Sequence, residues 1–119
     1  MQQESQTLEE NLIAYAHAVR EFGKRLPVTL ANVEDLRQLV KASGALGSRY
    51  IQANGAATRQ DFVHGIRTCG AEARNSWYWL RLVDTQGTPE LETQRERLLR
   101  VSLDLELVFA KILKQSLPG

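Results

Sequence analysis

The sequence predicts an all-α fold, a single domain built as an antiparallel up-down-up-down four-helix bundle. Leu and Ala occur 17 and 12 times in 119 residues, against 12 for Val and Ile together, which favours helix over strand. Apolar residues recur at steps of three and four in four long segments, the pattern of helices with one buried face. Prolines and glycines separate these segments by short loops, and short loops join antiparallel neighbours in helical bundles.

The first helix is predicted over about 7–26. It opens at Thr7, where Glu10 has the three-residue spacing of a capping box, and it stops before Pro27. Its apolar residues form one stripe: Leu8, Leu12, Tyr15, Val19, Phe22 and Leu26.

The second helix is predicted over about 30–53 and starts between Thr29 and Asn32. Gly44 and Gly47 lie in its middle, where each glycine costs about 1 kcal/mol relative to alanine. One interpretation is a weak or broken helix. The other, which we favour, is a close approach between two helices that only small side chains permit.

The third and fourth helices are predicted over about 59–85 and 89–116. Thr58 is the N-cap of the third, and Thr88 with Pro89 gives the fourth the typical start of a helix. The buried stripe of the third is expected at Phe62, Ile66, Cys69, Ala73, Ser76, Leu80 and Val83. The buried stripe of the fourth is expected at Leu91, Gln94, Leu98, Val101, Leu105, Val108 and Ile112.

The last two helices carry more apolar surface than one four-helix core needs. A bundle interior uses about three of every seven positions in a helix, and a surplus usually marks an interface. We therefore expect the chain to form a homo-oligomer. The candidate interface residues lie outside the main stripes: Trp77, Tyr78, Trp79, Leu103 and Phe109.

Three arginines recur every seven residues on the third helix: Arg67, Arg74 and Arg81. With Trp77 and Tyr78 among them, they form a candidate surface for a nucleic acid or another partner. The alternative, which we favour, is a solvated helix edge or salt bridges to another helix or subunit.

No catalytic, metal or cofactor site is predicted. Asp61 and His64 lie one turn apart, but no second acid–histidine pair completes a bundle metal site, so His64 is interpreted as solvated or interfacial. Cys69 lies on a core stripe and is interpreted as a small apolar residue rather than a nucleophile. The chain is therefore expected not to be an enzyme.

Charge and hydropathy set the remaining expectations. The net charge of +1 argues against a strongly basic nucleic-acid binder, although an oligomer repeats its local basic patches. No apolar stretch approaches the 18 residues that a membrane span needs, and the polar start lacks the pattern of a secretory leader. We expect a cytoplasmic protein with no membrane partner.

Two ion pairs are expected between the second and third helices. If these helices are antiparallel about the turn near residues 54–57, Lys41 lies level with Glu72 and Arg49 with Asp61. Each exposed pair would contribute less than about 1 kcal/mol.

Residues 36–83 carry a spaced pattern that resembles a known family. Its positions include Gly44, Gly47, Tyr50, Asn54, Glu72 and Trp79. The pattern is similar to that of the four-helix-bundle proteins encoded in 23S ribosomal-RNA intervening sequences and at independent chromosomal loci. This chain departs from the family pattern at Arg49, where Asn is usual, and at Gln52, Gly55 and Asn75, where Glu is usual.

The resemblance implies a left-handed antiparallel bundle that assembles into a ring-shaped homopentamer. It implies no enzymatic activity. Relatives include accessory proteins of diversity-generating retroelements, which are basic bundles that engage a reverse transcriptase and nucleic acid. A nucleic acid or a nucleic-acid enzyme is thus the second class of partner that the resemblance implies.

Overall fold

The structure, a computed structural model, describes residues 2–117, with side chains from Glu4 onwards. It consists of four helices: α1 Gln2–Arg25, α2 Leu30–Asn54, α3 Arg59–Leu82 and α4 Pro89–Ser116. The described part of the chain contains no strand. The all-α class with four helices is confirmed. No helix in the part of the chain that the structure describes is both long and apolar enough to cross a membrane.

The predicted N-cap Thr58 forms as expected, and Thr29, at one end of the interval predicted for the start of the second helix, caps α2. The Thr29 hydroxyl accepts a hydrogen bond from the Asn32 N–H at 3.1 Å, and that of Thr58 accepts one from the Asp61 N–H at 3.0 Å. Each threonine satisfies a donor that the first helical turn leaves unpaired. Thr88 precedes Pro89 in an extended conformation, but its side chain makes no capping bond.

The predicted start of the first helix is wrong. Thr7 lies inside α1, which begins at Gln2. Contacts with the end of α2 explain the extra turn: the Ser5 hydroxyl lies 3.1 Å from the Tyr50 hydroxyl and accepts a hydrogen bond from the Asn54 amide at 2.7 Å. Tertiary contacts therefore override the local capping signal.

The predicted end of the third helix is also wrong. α3 ends at Leu82, because Val83 turns into an extended conformation with ψ of 143° and buries its side chain. The next residue, Asp84, is held through its backbone by the side chain of Asn32 on α2. The chain therefore leaves the helix three residues before the predicted end at residue 85.

The core lies between the four helices and consists mainly of aliphatic and aromatic residues. Each helix contributes a stripe, and the largest fully buried side chains are Phe22, Phe109, Leu12, Leu39, Leu46, Ile66 and Leu80. A buried polar contact joins α1 to α4, where the hydroxyls of Tyr15 and Ser102 lie 2.5 Å apart. Burial raises the pKa of Tyr15, so this phenol stays neutral.

The stripe of α4 is rotated from its predicted position. Ser102 and Phe109 are buried, whereas Val108 is exposed and Val101 only half-buried. A straight helix turns once in 3.6 residues, so a stripe drawn at steps averaging 3.5 drifts off the core over the length of α4. The predicted interface residue Phe109 is the clearest correction: it is 1% exposed and packs against Tyr50, with ring centroids 6.0 Å apart.

Gly44 and Gly47 occupy an unbroken helix, so the broken-helix alternative is excluded. The close approach between two helices that we favoured at these glycines is wrong within the chain as well. A Cβ at Gly47 would meet only Leu12 at an ordinary 3.7 Å, and one at Gly44 would meet only the end of the Arg20 side chain at 3.4 Å. The close approach lies at Gly65 instead, where a Cβ would be 2.8 Å from the Ala53 Cβ.

Candidate interaction surface on α3 and α4

The three predicted arginines lie exposed along the contact between α3 and α4. Arg81 lines one cavity between these helices, and Arg67 lines another nearer the end of α4. Arg74 lies between them and contacts Glu106 of α4. We call this surface the arginine seam, comprising Arg67, Arg74, Trp77 and Arg81 of α3 with Leu99 and Leu103 of α4.

Trp77 binds two of the arginines through its indole ring. The guanidinium carbons of Arg74 and Arg81 lie 4.8 Å and 4.9 Å from the ring centroid. These are cation–π distances, each contributing about 0.5–1 kcal/mol at an exposed site. The ring therefore orders two cationic side chains and is itself partly covered by them.

Arg74 also forms the single inter-helix ion pair among the described residues. Its guanidinium lies 3.4 Å from a carboxylate oxygen of Glu106. Both side chains are substantially exposed, so the pair stabilises the fold by less than about 1 kcal/mol.

The larger cavity of the seam has a volume of about 410 Å³. Its walls combine apolar and charged side chains: Trp77, Arg81, Glu96, Leu99, Arg100 and Leu103. Neither Arg81 nor Arg100 has a carboxylate within ion-pair distance in the described part of the chain. The cavity therefore combines aliphatic side chains with guanidinium groups that have no carboxylate partner.

The predicted interface residues do not share one surface. Tyr78 is 51% exposed, and Trp77 and Leu103 line the seam. Trp79 is half-buried against the core and packs edge-on against Tyr78, with ring centroids 5.0 Å apart. With Phe109 in the core, exposed aromatic and aliphatic area remains at Tyr78, Trp77 and Leu103.

Both expected ion pairs between α2 and α3 are wrong. Neither Lys41 with Glu72 nor Arg49 with Asp61 lies within 4.0 Å among the described residues. Arg49 and Asp61 do line one cavity, so the predicted alignment of α2 with α3 brings these two residues near each other without pairing them. The Glu72 carboxylate instead accepts a hydrogen bond from Asn75, one turn along its own helix.

The residues on which the resemblance rests lie on α2 and α3. Gly44 and Gly47 floor a groove of about 280 Å³ between α1 and α2, rimmed by the exposed Ile13 and Ile51. Tyr50 is buried near the end of α2, where Asn54 bonds to Ser5. Glu72 and Trp79 lie on α3.

A wider cavity between the start of α1 and the end of α4 escaped the sequence reasoning. It measures about 680 Å³, and its apolar lining residues are Leu8, Phe62, Val108 and Ile112. Polar residues, including Asn11, line it as well. No local pattern in the sequence predicts a cavity there, because it forms between segments that are far apart along the chain.

The single thiol is chemically quiet. Cys69 is buried, and desolvation raises its pKa to about 12, so the nucleophilic thiolate is scarce at neutral pH. His64 is exposed on α3. Across residues 2–117, no three His, Cys, Asp or Glu side chains lie together in a group that could hold a metal ion.

No protein-family model, curated protein or solved structure matches this chain. The fold and the surface define an all-α four-helix protein with a cationic and partly apolar seam.

Proposed function

We propose that the chain is a cytoplasmic, non-enzymatic antiparallel helical bundle that acts as a structural and interaction module after self-association. The resemblance described above suggests a homopentameric ring. The observation that carries the proposal is apolar exposure: Val28 is 91% exposed, Leu30 83% and Leu107 67%. Removing such side chains from water by contact with another chain is favourable, which supports self-association.

Contacts between successive helices support the antiparallel arrangement. Gly23 approaches Leu36 and Gly47 approaches Leu12, so residues further along α1 meet residues nearer the start of α2. The same reversal holds for α3 and α4, where Arg59 donates to the Ser116 carbonyl and Arg74 contacts Glu106. It also holds for α2 and α3: Asn32 contacts Asp84, and Ala53 approaches Gly65.

Light scattering coupled to size exclusion tests the self-association. At micromolar concentration we expect a mass five times the 13.4 kDa of the subunit. Tyr78→Asp and Leu107→Asp should lower this mass while the helical circular dichroism signal stays, because a charge cannot be buried unpaired in an interface. Thr93→Asp, also exposed, is the matched control and should leave the mass unchanged. A wild-type mass of 13.4 kDa would refute the proposal.

The second candidate function is an accessory protein that binds nucleic acid through the exposed Arg67, Arg74 and Arg81. Binding to a DNA or RNA duplex should then weaken steeply between 50 and 200 mM salt, as counterion release requires (~10³-fold for about six phosphate contacts). Arg74→Ala should reduce the slope of log K against log salt by about one per subunit contact. Absence of binding at about 50 mM salt would exclude this candidate.

A further inference from the structure

We propose that the arginine seam is the docking surface for an acidic amphipathic helix of another protein. The inference rests on the proposed function as an interaction module and adds the chemistry of the partner. Such a helix would place leucine-type side chains on Leu99 and Leu103 and carboxylates opposite the arginines.

The charge of the seam calls for an anionic partner. Arg67, Arg81 and Arg100 line its cavities without an ion pair in the described part of the chain. Glu96 and Glu106 are the acids that line the same cavities, and Glu106 is already paired with Arg74. Cations therefore outnumber acids along the seam, and carboxylates brought by a partner would complement the excess.

The spacing of the arginines fits a helix. Arg67, Arg74 and Arg81 are seven residues apart, which corresponds to about 10.5 Å between neighbours at 1.5 Å per residue. A second helix packed at a shallow angle along α3 repeats its own side chains at the same interval. Glutamates at every seventh position of the partner would therefore meet all three arginines in register.

The apolar part of the seam favours a protein over a nucleic acid. Leu99 and Leu103 line the same cavity as Arg81, and phosphates gain nothing from such aliphatic side chains. The Trp77 ring, already contacted by two guanidinium groups, is poorly placed to stack on a base.

A second copy of this chain does not fit the seam. No two acidic residues of the sequence lie seven positions apart, so no helix of a second copy can match three successive arginines. Glu90 with Asp104 and Glu92 with Glu106 could meet only the outer two, and Glu106 is already paired with Arg74. Two seams face to face would bring arginine against arginine, which is repulsive. Charge therefore favours a different protein as the occupant, and self-association would then use exposed apolar residues outside the seam, among them Tyr78 and Leu107.

The probe is a synthetic 21-residue (~32 Å) helical peptide with leucine at the a and d positions and glutamate at every seventh residue beside them. Labelled peptide is titrated with the full protein and followed by fluorescence anisotropy. We expect saturable binding that weakens about tenfold or more in Arg67→Glu and in Arg81→Glu. Arg37→Glu, an exposed arginine on α2, is the matched control and should bind like the wild type.

Two further peptides separate the contributions of charge and apolar contact. A lysine-for-glutamate peptide should not bind, and a serine-for-leucine peptide should bind at least about tenfold more weakly than the parent. Equal binding of the glutamate and lysine peptides would overturn the proposal. So would a duplex DNA that binds through Arg67 and Arg81 where the peptide fails.

The mass of the protein distinguishes this inference from the proposed function. Arg67→Glu and Arg81→Glu should leave the oligomeric mass unchanged, since the seam is not the contact between copies. A fall in mass together with loss of peptide binding would overturn the docking proposal and assign the seam to self-association. A monomeric wild type that still binds the glutamate peptide would support the docking proposal while refuting self-association.

Discussion

Replacement of Asn32 by leucine is expected to lower the free energy of unfolding by about 3 kcal/mol. Asn32 is only 3% exposed, and its side chain joins two loops at one end of the fold. Its amide nitrogen donates to the carbonyls of Pro27 at 2.9 Å and Asp84 at 2.8 Å, and its amide oxygen accepts from the Asp84 N–H at 2.8 Å. The side chain thus satisfies three backbone groups that no helix provides for.

Leucine keeps the approximate shape of asparagine but none of its hydrogen bonds. The Asp84 N–H and the carbonyls of Asp84 and Pro27, which lie in part-buried hydrogen bonds, would then lose their partners. A fully buried group left unsatisfied costs about 1–3 kcal/mol, and partial access to water lowers the cost of each of these three. Chemical denaturation followed by circular dichroism, at one fixed protein concentration, measures the loss. Asn11→Leu, an exposed asparagine on α1, should change the stability by less than about 0.5 kcal/mol.

A conservative change refines the test. Asn32→Asp retains the acceptor for the Asp84 N–H but removes both donors to the carbonyl oxygens. It should therefore be destabilised nearly as much as the leucine variant. If both variants unfolded at the wild-type denaturant concentration, the two loops would be held by something other than Asn32.

The helices could be predicted because their signals are local. Thr29 and Thr58 cap helices through residues three positions on, and the apolar steps of three and four identify the buried faces. The link from Asn32 to Asp84 could not be predicted, because it depends on how two loops 52 residues apart come together. The end of α3 was misplaced for the same reason.

The candidate surface was predicted in part. The seven-residue spacing of Arg67, Arg74 and Arg81 is enough to place them on one edge of α3. The residues that face that edge depend on how α4 is rotated about its axis. The predicted stripe of α4 was wrong by one position there, so Val108 was expected in the core and Phe109 on the surface, and the structure shows the reverse. The ion pair between Arg74 and Glu106 and the cavity beside Trp77 could therefore not be predicted from the sequence.

Gly65→Ala is expected to destabilise the protein by up to about 2 kcal/mol, although alanine is the better helix former. The new Cβ would lie 2.8 Å from the Ala53 Cβ and 3.3 Å from the Ala53 Cα, so α2 and α3 must move apart. Overpacking of this kind costs about 1–3 kcal/mol, while the gain in helix propensity returns only about 1 kcal/mol. Ala53 has no flexible end that could move aside.

Gly47→Ala is the matched comparison, because it makes the same chemical change in the middle of a neighbouring helix. Its Cβ would meet only the Leu12 Cβ at 3.7 Å, which is ordinary contact, so the variant should be more stable than the wild type by about 0.5–1 kcal/mol. Denaturation of both variants under identical conditions measures the difference, expected near 2 kcal/mol. Equal stabilities would mean that α2 and α3 separate at Gly65 without loss. A destabilised Gly47→Ala would mean that another chain packs into the groove between α1 and α2, since nothing within the subunit opposes the added methyl group there.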